Sequence, residues 1–390
     1  MKKIVIIFLS LVALIVGLYG LLYSKWFLTA FPIGFLFGFF LQKGDLCASS
    51  AMSEVIMFKD RSKIWGFWVA IVTTMLSISI IDFFGFIDVN PKAFYWMNYL
   101  VGGVLFGVGI VLAGGCISGV LYKSGTGNIN SIMALMSIPF GIAAVEVGPF
   151  KEFNLWMKTF VINGSNGEPL TLYYLTGIPY LLLAIIFVVG TILYLLFRRK
   201  RFEFSMALNR SWKPWIAGIA IGILSLFAYL SSNASGRNYA LGVTHGVYHN
   251  ALLFFENKDN LNIVTEKPVQ KVQAVNSNIK GDQQVISAKK KVSGWLILVV
   301  IGLVAGSLVS GLLSGQAKLL PKDPHQTVIA LIGGFLVGSG AAFAEGCSIG
   351  NILSGWGMMS IGNFEFGIVV VLANWITTYF YLMGGNFQNK

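Results

Sequence analysis

A chain of 390 residues that is 56% hydrophobic and only 11% charged is not a soluble domain, in which about a quarter of residues carry charge. Its net charge of +12 does not mark a nucleic-acid binder either, because the basic residues fall in short connectors between apolar runs, where they set orientation and meet lipid headgroups. Three cysteines with no C-x-x-C pair argue against a disulfide framework and a zinc ribbon.

In chain order, 1–23 opens with Met-Lys-Lys and turns apolar. No small-x-small cleavage pattern follows, so it reads as a first helix rather than a removed signal peptide. The apolar run 31–41 carries Gly34 and Gly38 and stops at Gln42-Lys43-Gly44-Asp45-Leu46-Cys47. It is too short to span, which predicts a half-helix that turns inside the protein, with 48–58 as its return half. The runs 64–84 and 94–113 span, and the second stops at Gly114-Gly115-Cys116-Ile117-Ser118-Gly119. A short return piece over 117–121 ends at Gly125-Thr126-Gly127-Asn128, and 131–147 and 175–197 are the next long apolar runs.

Arg198-Arg199-Lys200-Arg201, reinforced by Arg210 and Lys213, is the densest basic cluster and is assigned to the cytoplasm. It lies near the midpoint, so residues 1–200 and 201–390 read as two halves. The second half opens with 212–230, where Gly218 and Gly222 repeat the spacing of Gly34 and Gly38. A shorter piece over 239–255 precedes a polar loop at 256–292, and 293–313, 328–344 and 366–383 complete the spans. The expected fold is an all-α integral membrane protein, an inverted-repeat helical bundle with about nine spans plus short re-entrant half-helices.

The duplication rests on a shared register. Cys116 and Cys347 stand 231 positions apart, and so do Gly102-Gly103 and Gly333-Gly334, Gly107 and Gly338, and Gly109 and Gly340. Small-x-x-x-small helix packing accounts for the upstream glycines. It does not account for the glycines that bracket each cysteine, which read as helix stops with close backbone approach.

A helix restarting at such a break points free N–H groups and partial positive charge into the protein, an anion-binding arrangement. The candidate binding groups are the backbone and hydroxyls of Gly114, Gly115, Ser118, Gly119, Gly346, Ser348 and Gly350. The thiols of Cys47, Cys116 and Cys347 add weak donors and a polarisable surface. They suit an anion with an exposed soft sulfur, provided they stay neutral, since a thiolate would repel it. Glu54, Glu146 and Glu345 read as structural carboxylates paired with a backbone amide or a basic partner such as Lys123. His245, His249 and His325, at helix ends or loops, are not read as ligands. Arg237, Asn238 and Thr244 are candidates for lining an entrance in the second half, opposite Cys47.

With its Gly-rich helix leading into Ala113-Gly114-Gly115-Cys116-Ile117-Ser118-Gly119, its second copy Glu345-Gly346-Cys347-Ser348-Ile349-Gly350-Asn351, and Cys47-Ala48-Ser49-Ser50-Ala51, the chain resembles the YeeE/YedE family of membrane transporters over nearly its whole length. The family often has Thr where Ile117 and Ser348 stand, and a histidine where Asn351 stands. The resemblance implies an hourglass-shaped monomer of paired inverted halves in the inner membrane. It implies uptake of thiosulfate or a similar small anion past three cysteines, with Cys116 as the central relay thiol and Cys47 and Cys347 towards the mouths. A cytoplasmic sulfurtransferase of the small Cys-Pro-x-Pro type is the partner it implies.

Other readings are a selenium-compound transporter, a soft-metal carrier, and a thiol sulfurtransferase or oxidoreductase forming a persulfide on Cys116. The metal reading lacks paired ligand spacing, and the persulfide reading lacks a resolving cysteine and a cation to activate the thiol. With no nucleotide-binding loop, no cofactor and no catalytic residue are expected, and the chain reads as a transporter rather than an enzyme.

Overall fold

In a computed structural model, residues 2–164, 167–197, 211–256, 261–265, 290–319 and 323–384 are described. The Arg198–Arg201 cluster, Arg210 and most of the polar loop at 256–292 lie outside them. Helix α1 (Lys2–Leu22) leads through a 3-10 turn to α2 (Ala30–Gly44), α3 (Ala48–Met57), α4 (Ser62–Phe83), α5 (Trp96–Leu112), α6 (Ile117–Gly125) and α7 (Ile129–Glu146). Two short helices follow, α8 (Lys151–Lys158) and α9 (Leu172–Thr176), and then α10 (Tyr180–Phe197), α11 (Pro214–Ala234) and α12 (Thr244–Phe255). Helices α13 (Gly294–Leu313) and α14 (Pro324–Phe343), the π-helical segment Ser348–Gly355 and α15 (Ile361–Thr377) complete the bundle. Two small sheets join connectors: β1 (Phe94–Tyr95) pairs antiparallel with β2 (Val161–Ile162), and β3 (Leu261–Val264) pairs parallel with β4 (Lys290–Ser293).

Among the described residues, 10 helical stretches are long and apolar enough to cross a membrane. The stretch beyond the nine expected is Trp26–Met57, which is broken between α2 and α3. Trp96–Gly125 is broken in the same way between α5 and α6. The connector after α7 is also more ordered than its polar sequence suggests, because α8 folds back to place Asn154 against α5, where Asn98 Nδ2 donates to Asn154 Oδ1 at 2.8 Å.

Glycine sets how closely the helices approach. Gly34 and Gly38 of α2 face the backbone of Val299 and Leu303 on α13, and Gly302 and Gly306 face Phe31 and Phe35 in return. Helix α11 runs along α4 through Gly218 against Gly66, and α7 along α14 through Gly338 against Ile138. Where α5 crosses α14, a Cβ on Gly102 would lie 2.7 Å from Gly340 O, and one on Gly109 3.0 Å from Gly333 O. Two of the glycine pairs that match at a 231-residue interval, Gly102/Gly333 and Gly109/Gly340, thus meet across one antiparallel contact, each with the other pair's mate, while Gly103 and Gly107 pack on α15 and Gly334 and Gly338 on α7.

Lipid tails offer no hydrophobic drive for helix association, so stability comes from this close van der Waals packing. Gly306→Val is the sharpest test, because a Cβ there would run into Phe35 O. Backbone cannot give way as a side-chain tip does, and overpacking of this kind costs about 1–3 kcal/mol or more. The expected result is loss of the monodisperse peak in detergent size-exclusion chromatography, with Gly190→Val, at a site where a Cβ meets nothing within 4 Å, behaving as wild type.

Candidate functional site

Each cysteine occupies the same place in a helix break. Two residues before it stands a residue in the left-handed region: Asp45 (φ 46°) before Cys47, Gly114 (φ 68°) before Cys116 and Glu345 (φ 54°) before Cys347. The cysteine is then extended and caps the next helix: α3, α6 and the Ser348–Gly355 segment respectively. Leu46 N to Leu41 O (3.0 Å) and Gly346 N to Ala341 O (2.8 Å) close the preceding helices, a Schellman-type stop. Asp45 and Glu345 hold a conformation that costs a non-glycine residue roughly 1–2 kcal/mol, and such strain concentrates at functional sites.

None of the three cysteines makes a side-chain capping bond to the helix it starts. The first turns therefore keep free N–H groups directed into a buried region, since all three thiols are fully buried. Cys47 Sγ and Cys116 Sγ are 3.9 Å apart, and Cys116 Sγ is 3.3 Å from Ser118 Oγ. Cys116 also interacts electrostatically with Ser348 and Cys347, which brings the third break to the same place. Gly119 lies directly against Cys47 Sγ. The fully buried Ser348 Oγ makes no hydrogen bond of full geometry, its polar neighbour being the Cys116 thiol, so its bonding capacity is incompletely used. Gly350, buried in the same turn, has nothing within 4 Å of where its side chain would be, and its carbonyl accepts from Tyr239 OH at 2.7 Å.

Beyond Cys347 a cavity of about 580 Å³ opens. Lys92 and Lys158 converge on Glu345 there, Lys92 Nζ on its carbonyl and Lys158 Nζ on its carboxylate, each at 2.5 Å. Lys92 Nζ also donates to Asn351 Oδ1 at 2.8 Å. Burial lowers the Lys92 ammonium to about 8. Burial alone would raise the Glu345 carboxyl, but the charges of Lys92 and Lys158 more than offset it and hold the group below its ordinary value.

Arg237 lines the cavity as well. Its guanidinium donates to Ser232 Oγ, Tyr239 O and Ala240 O and lies over the Tyr239 and Trp295 rings. Thr244 Oγ1 accepts from Cys347 N at 2.9 Å. Asn238 sits apart from the cavity lining and binds Asp88 O.

Towards the other face, Lys63 bridges Asp45 and Glu54, and Tyr122 OH donates to Asp45 Oδ1 at 2.8 Å. The carboxylates thus pair with Lys63, His245 (for Glu146) and Lys158 (for Glu345). Lys123, the partner expected from sequence, instead donates to Gly114 O at 2.6 Å and satisfies a carbonyl at the end of α5. His249 accepts from Ser293 N, and burial lowers it to about 4, so it is neutral. Among the described residues, no three His, Cys, Asp or Glu side chains converge as metal ligands.

Sequence reasoning missed Lys92, Lys158, Asp45 and Tyr122. The left-handed residue two positions before each cysteine becomes visible only in the structure, and nothing local marked the two lysines.

Comparison with known proteins adds an independent line. A family model described as sulphur transport matches residues 43–376. The chain is 29% identical over 365 residues to thiosulfate transporter TsuA of Spirochaeta thermophila, covering 89% of this chain and 96% of that protein. It is 26% identical over 354 residues to thiosulfate transporter TsuA of Escherichia coli K12, covering 89% and 92%. A 111-residue stretch is 32% identical to the probable transporter YedE of Escherichia coli K12, over about a quarter of each chain (26% and 25%).

Proposed function

The chain belongs to the sulphur-transport (YeeE/YedE) family, and from that premise we propose that it takes up thiosulfate, or a similar small sulfur-bearing anion, along a route lined by Cys347, Cys116 and Cys47. It is a multi-pass membrane transporter and not an enzyme, as its relatives are. The observation that carries the cargo reading is the junction of Cys47 and Cys116, 3.9 Å apart and beside the buried Ser348 hydroxyl. Protonated thiols, helix N–H groups and the Ser348 hydroxyl would together offer donors without a formal charge. That suits a dianion which must bind and also leave. The soft end of thiosulfate matches the polarisable sulfurs, and its oxygens match the amides.

Orientation follows from charge. Trp65 of α4 stacks on Tyr194 of α10, and Gly66 meets Pro214 of α11. The α4 start, the α10 end and the α11 start therefore share a face. The connector from α10 to α11 carries Arg198, Arg199, Lys200, Arg201, Arg210 and Lys213, which makes that face cytoplasmic. The cavity beside Glu345 then opens outward, and cargo meets Cys347 first and Cys47 last. The exchanged glycine contacts of α5 and α14 support two inverted halves that pinch this route as an hourglass. A cytoplasmic sulfurtransferase of the Cys-Pro-x-Pro type would take the cargo at the exit.

The test is reconstitution. Liposomes holding the purified protein are expected to take up radiolabelled thiosulfate saturably, above protein-free vesicles. Uptake indistinguishable from protein-free vesicles, by protein that is monodisperse and inserted, would refute the assignment.

A further inference from the structure

Helices α10 and α11 both lie against α4, but at different distances. Gly218 and Gly222 bring α11 into backbone contact with α4, where a Cβ on Gly218 would run into Gly66 O. Helix α10 rests on rings instead: Trp65 stacks on Tyr194 with centroids 4.8 Å apart, and Trp68 Nε1 donates to Thr191 Oγ1 at 3.1 Å. One neighbour is drawn in by glycine and the other held off by tryptophan, so a groove of about 710 Å³ opens between α10 and α11 with α4 as its floor. Val69 and Leu76 of α4, Ile192 of α10 and Ile219 of α11 make its body apolar. Trp65, Tyr194, Trp215 and Lys213 gather at its cytoplasmic end.

From this amphipathic shape we propose that the groove binds one anionic phospholipid of the inner leaflet, with its phosphate at Lys213 and an acyl chain along α4. The lining runs from Ser62 to Leu76 on α4, ~21 Å of helix at about 1.5 Å per residue. That takes a chain from the headgroup level to the middle of a hydrocarbon core about 30 Å thick. Inside a bilayer an apolar groove is filled by hydrocarbon, because its side chains then gain dispersion contacts on their open side. The cytoplasmic end suits a headgroup. Trp and Tyr favour that level of a membrane, and among the described residues lining the groove Lys213 alone is charged. Asp60 accepts from Ser62 Oγ at the rim, and Arg61 beside it in sequence offsets that carboxylate, so Lys213 decides the sign. The starts of α4 and α11 meet there as well, Gly66 against Pro214, and helix N-termini favour negative charge. A basic pocket between spans on the cytoplasmic side is an arrangement that holds anionic headgroups. The leaflet follows from the orientation argued above; the groove itself does not depend on the transport reading.

The experiment is native mass spectrometry of the purified full-length protein, given equimolar phosphatidylglycerol and phosphatidylcholine with matched acyl chains. One phosphatidylglycerol is expected to be retained at least about fivefold over phosphatidylcholine, the preference that one lysine near an anionic headgroup supplies, roughly 1 kcal/mol. Lys213→Gln is expected to bring the two lipids close to parity, whereas Lys3→Gln, at the start of α1, leaves the preference unchanged. Ile192→Trp puts a ring into the groove and should remove the tightly held lipid whatever its headgroup. Ile192 is 51% exposed, so this change costs the fold little. Leu372→Trp, equally exposed on α15 and away from the groove, should keep the lipid.

Equal retention of the two lipids by the wild-type protein would overturn the headgroup assignment. Wild-type retention by Ile192→Trp would overturn the site, placing the lipid in the general annulus around the bundle. A lipid-free protein that elutes as a dimer, and as a monomer after Ile192→Trp, would overturn it in favour of an interface between two copies of the chain. Thiosulfate uptake enters none of these readings, so failure here leaves the transport assignment standing, and failure of uptake leaves the lipid site.

Discussion

Gly119→Ala is expected to stop uptake while every thiol stays in place. A Cβ on Gly119 would overlap Cys47 Sγ and lie 3.5 Å from Cys116 Sγ, so a single methyl group fills the gap where the two sulfurs meet. The fold should survive. In the first turn of α6, alanine gains about 1 kcal/mol over glycine in helix propensity. That offsets part of the roughly 1–3 kcal/mol expected from inserting a methyl into a packed site, and a thiol can rotate where backbone cannot. Transport has no such compensation, because any ion passing Cys116 to Cys47 must cross the occupied space. Uptake is expected to fall more than about a hundredfold, the equivalent of ~3 kcal/mol on the barrier, with unchanged membrane abundance and size-exclusion profile. Wild-type uptake by a folded Gly119→Ala protein would show that the cargo does not travel between these two thiols.

Much of this arrangement was legible in the sequence because cysteine is rare in this chain and glycines flanking a cysteine in an apolar run have few explanations. The stops at Gly114-Gly115 and Gly346 fall where the helices end, and the glycine runs mark the helix contacts on which the bundle is built. The residues that set the breaks were harder to see. Asp45 and Glu345 adopt the left-handed conformation, yet neither residue type advertises it. Each holds it with help from a distant cation, Lys63 and Lys158 respectively. The cavity was opaque for a related reason. Lys92 comes from the connector before α5, Lys158 from the end of α8, and Arg237 from the loop after α11. Only folding brings the three together, and no spacing within one segment foretells it. Lys123 shows the same limit from the other side, since a lysine expected to pair with a carboxylate instead donates to the carbonyl of Gly114.

Replacing the Cys116 sulfur by oxygen separates a relay that needs softness from one that needs only a small donor. Cys116 is fully buried, 3.9 Å from Cys47 Sγ and 3.3 Å from Ser118 Oγ. Serine keeps the hydroxyl-sized volume and a better hydrogen-bond donor, and alanine keeps neither. If the route served any oxyanion, Cys116→Ser would carry cargo nearly as well as wild type, because amides and Ser348 still offer donors to oxygen. If the thiol matches the terminal sulfur of thiosulfate, serine fails with alanine, since a hard hydroxyl gives a polarisable sulfur little. The second outcome is expected, with both variants reduced more than about a hundredfold and Cys47→Ala and Cys347→Ala reduced less, as thiols that hand the ion to and from the centre. Truncating one small buried side chain costs on the order of 0.5–3 kcal/mol of stability, so detergent size-exclusion beside the uptake assay distinguishes lost passage from lost protein. Wild-type uptake by Cys116→Ser would end the case for soft-sulfur recognition. An added sulfur on wild-type Cys116 after exposure to thiosulfate, read by intact mass, would replace passage by covalent transfer, because a relay of hydrogen-bonded ions leaves no mark on the thiol it uses.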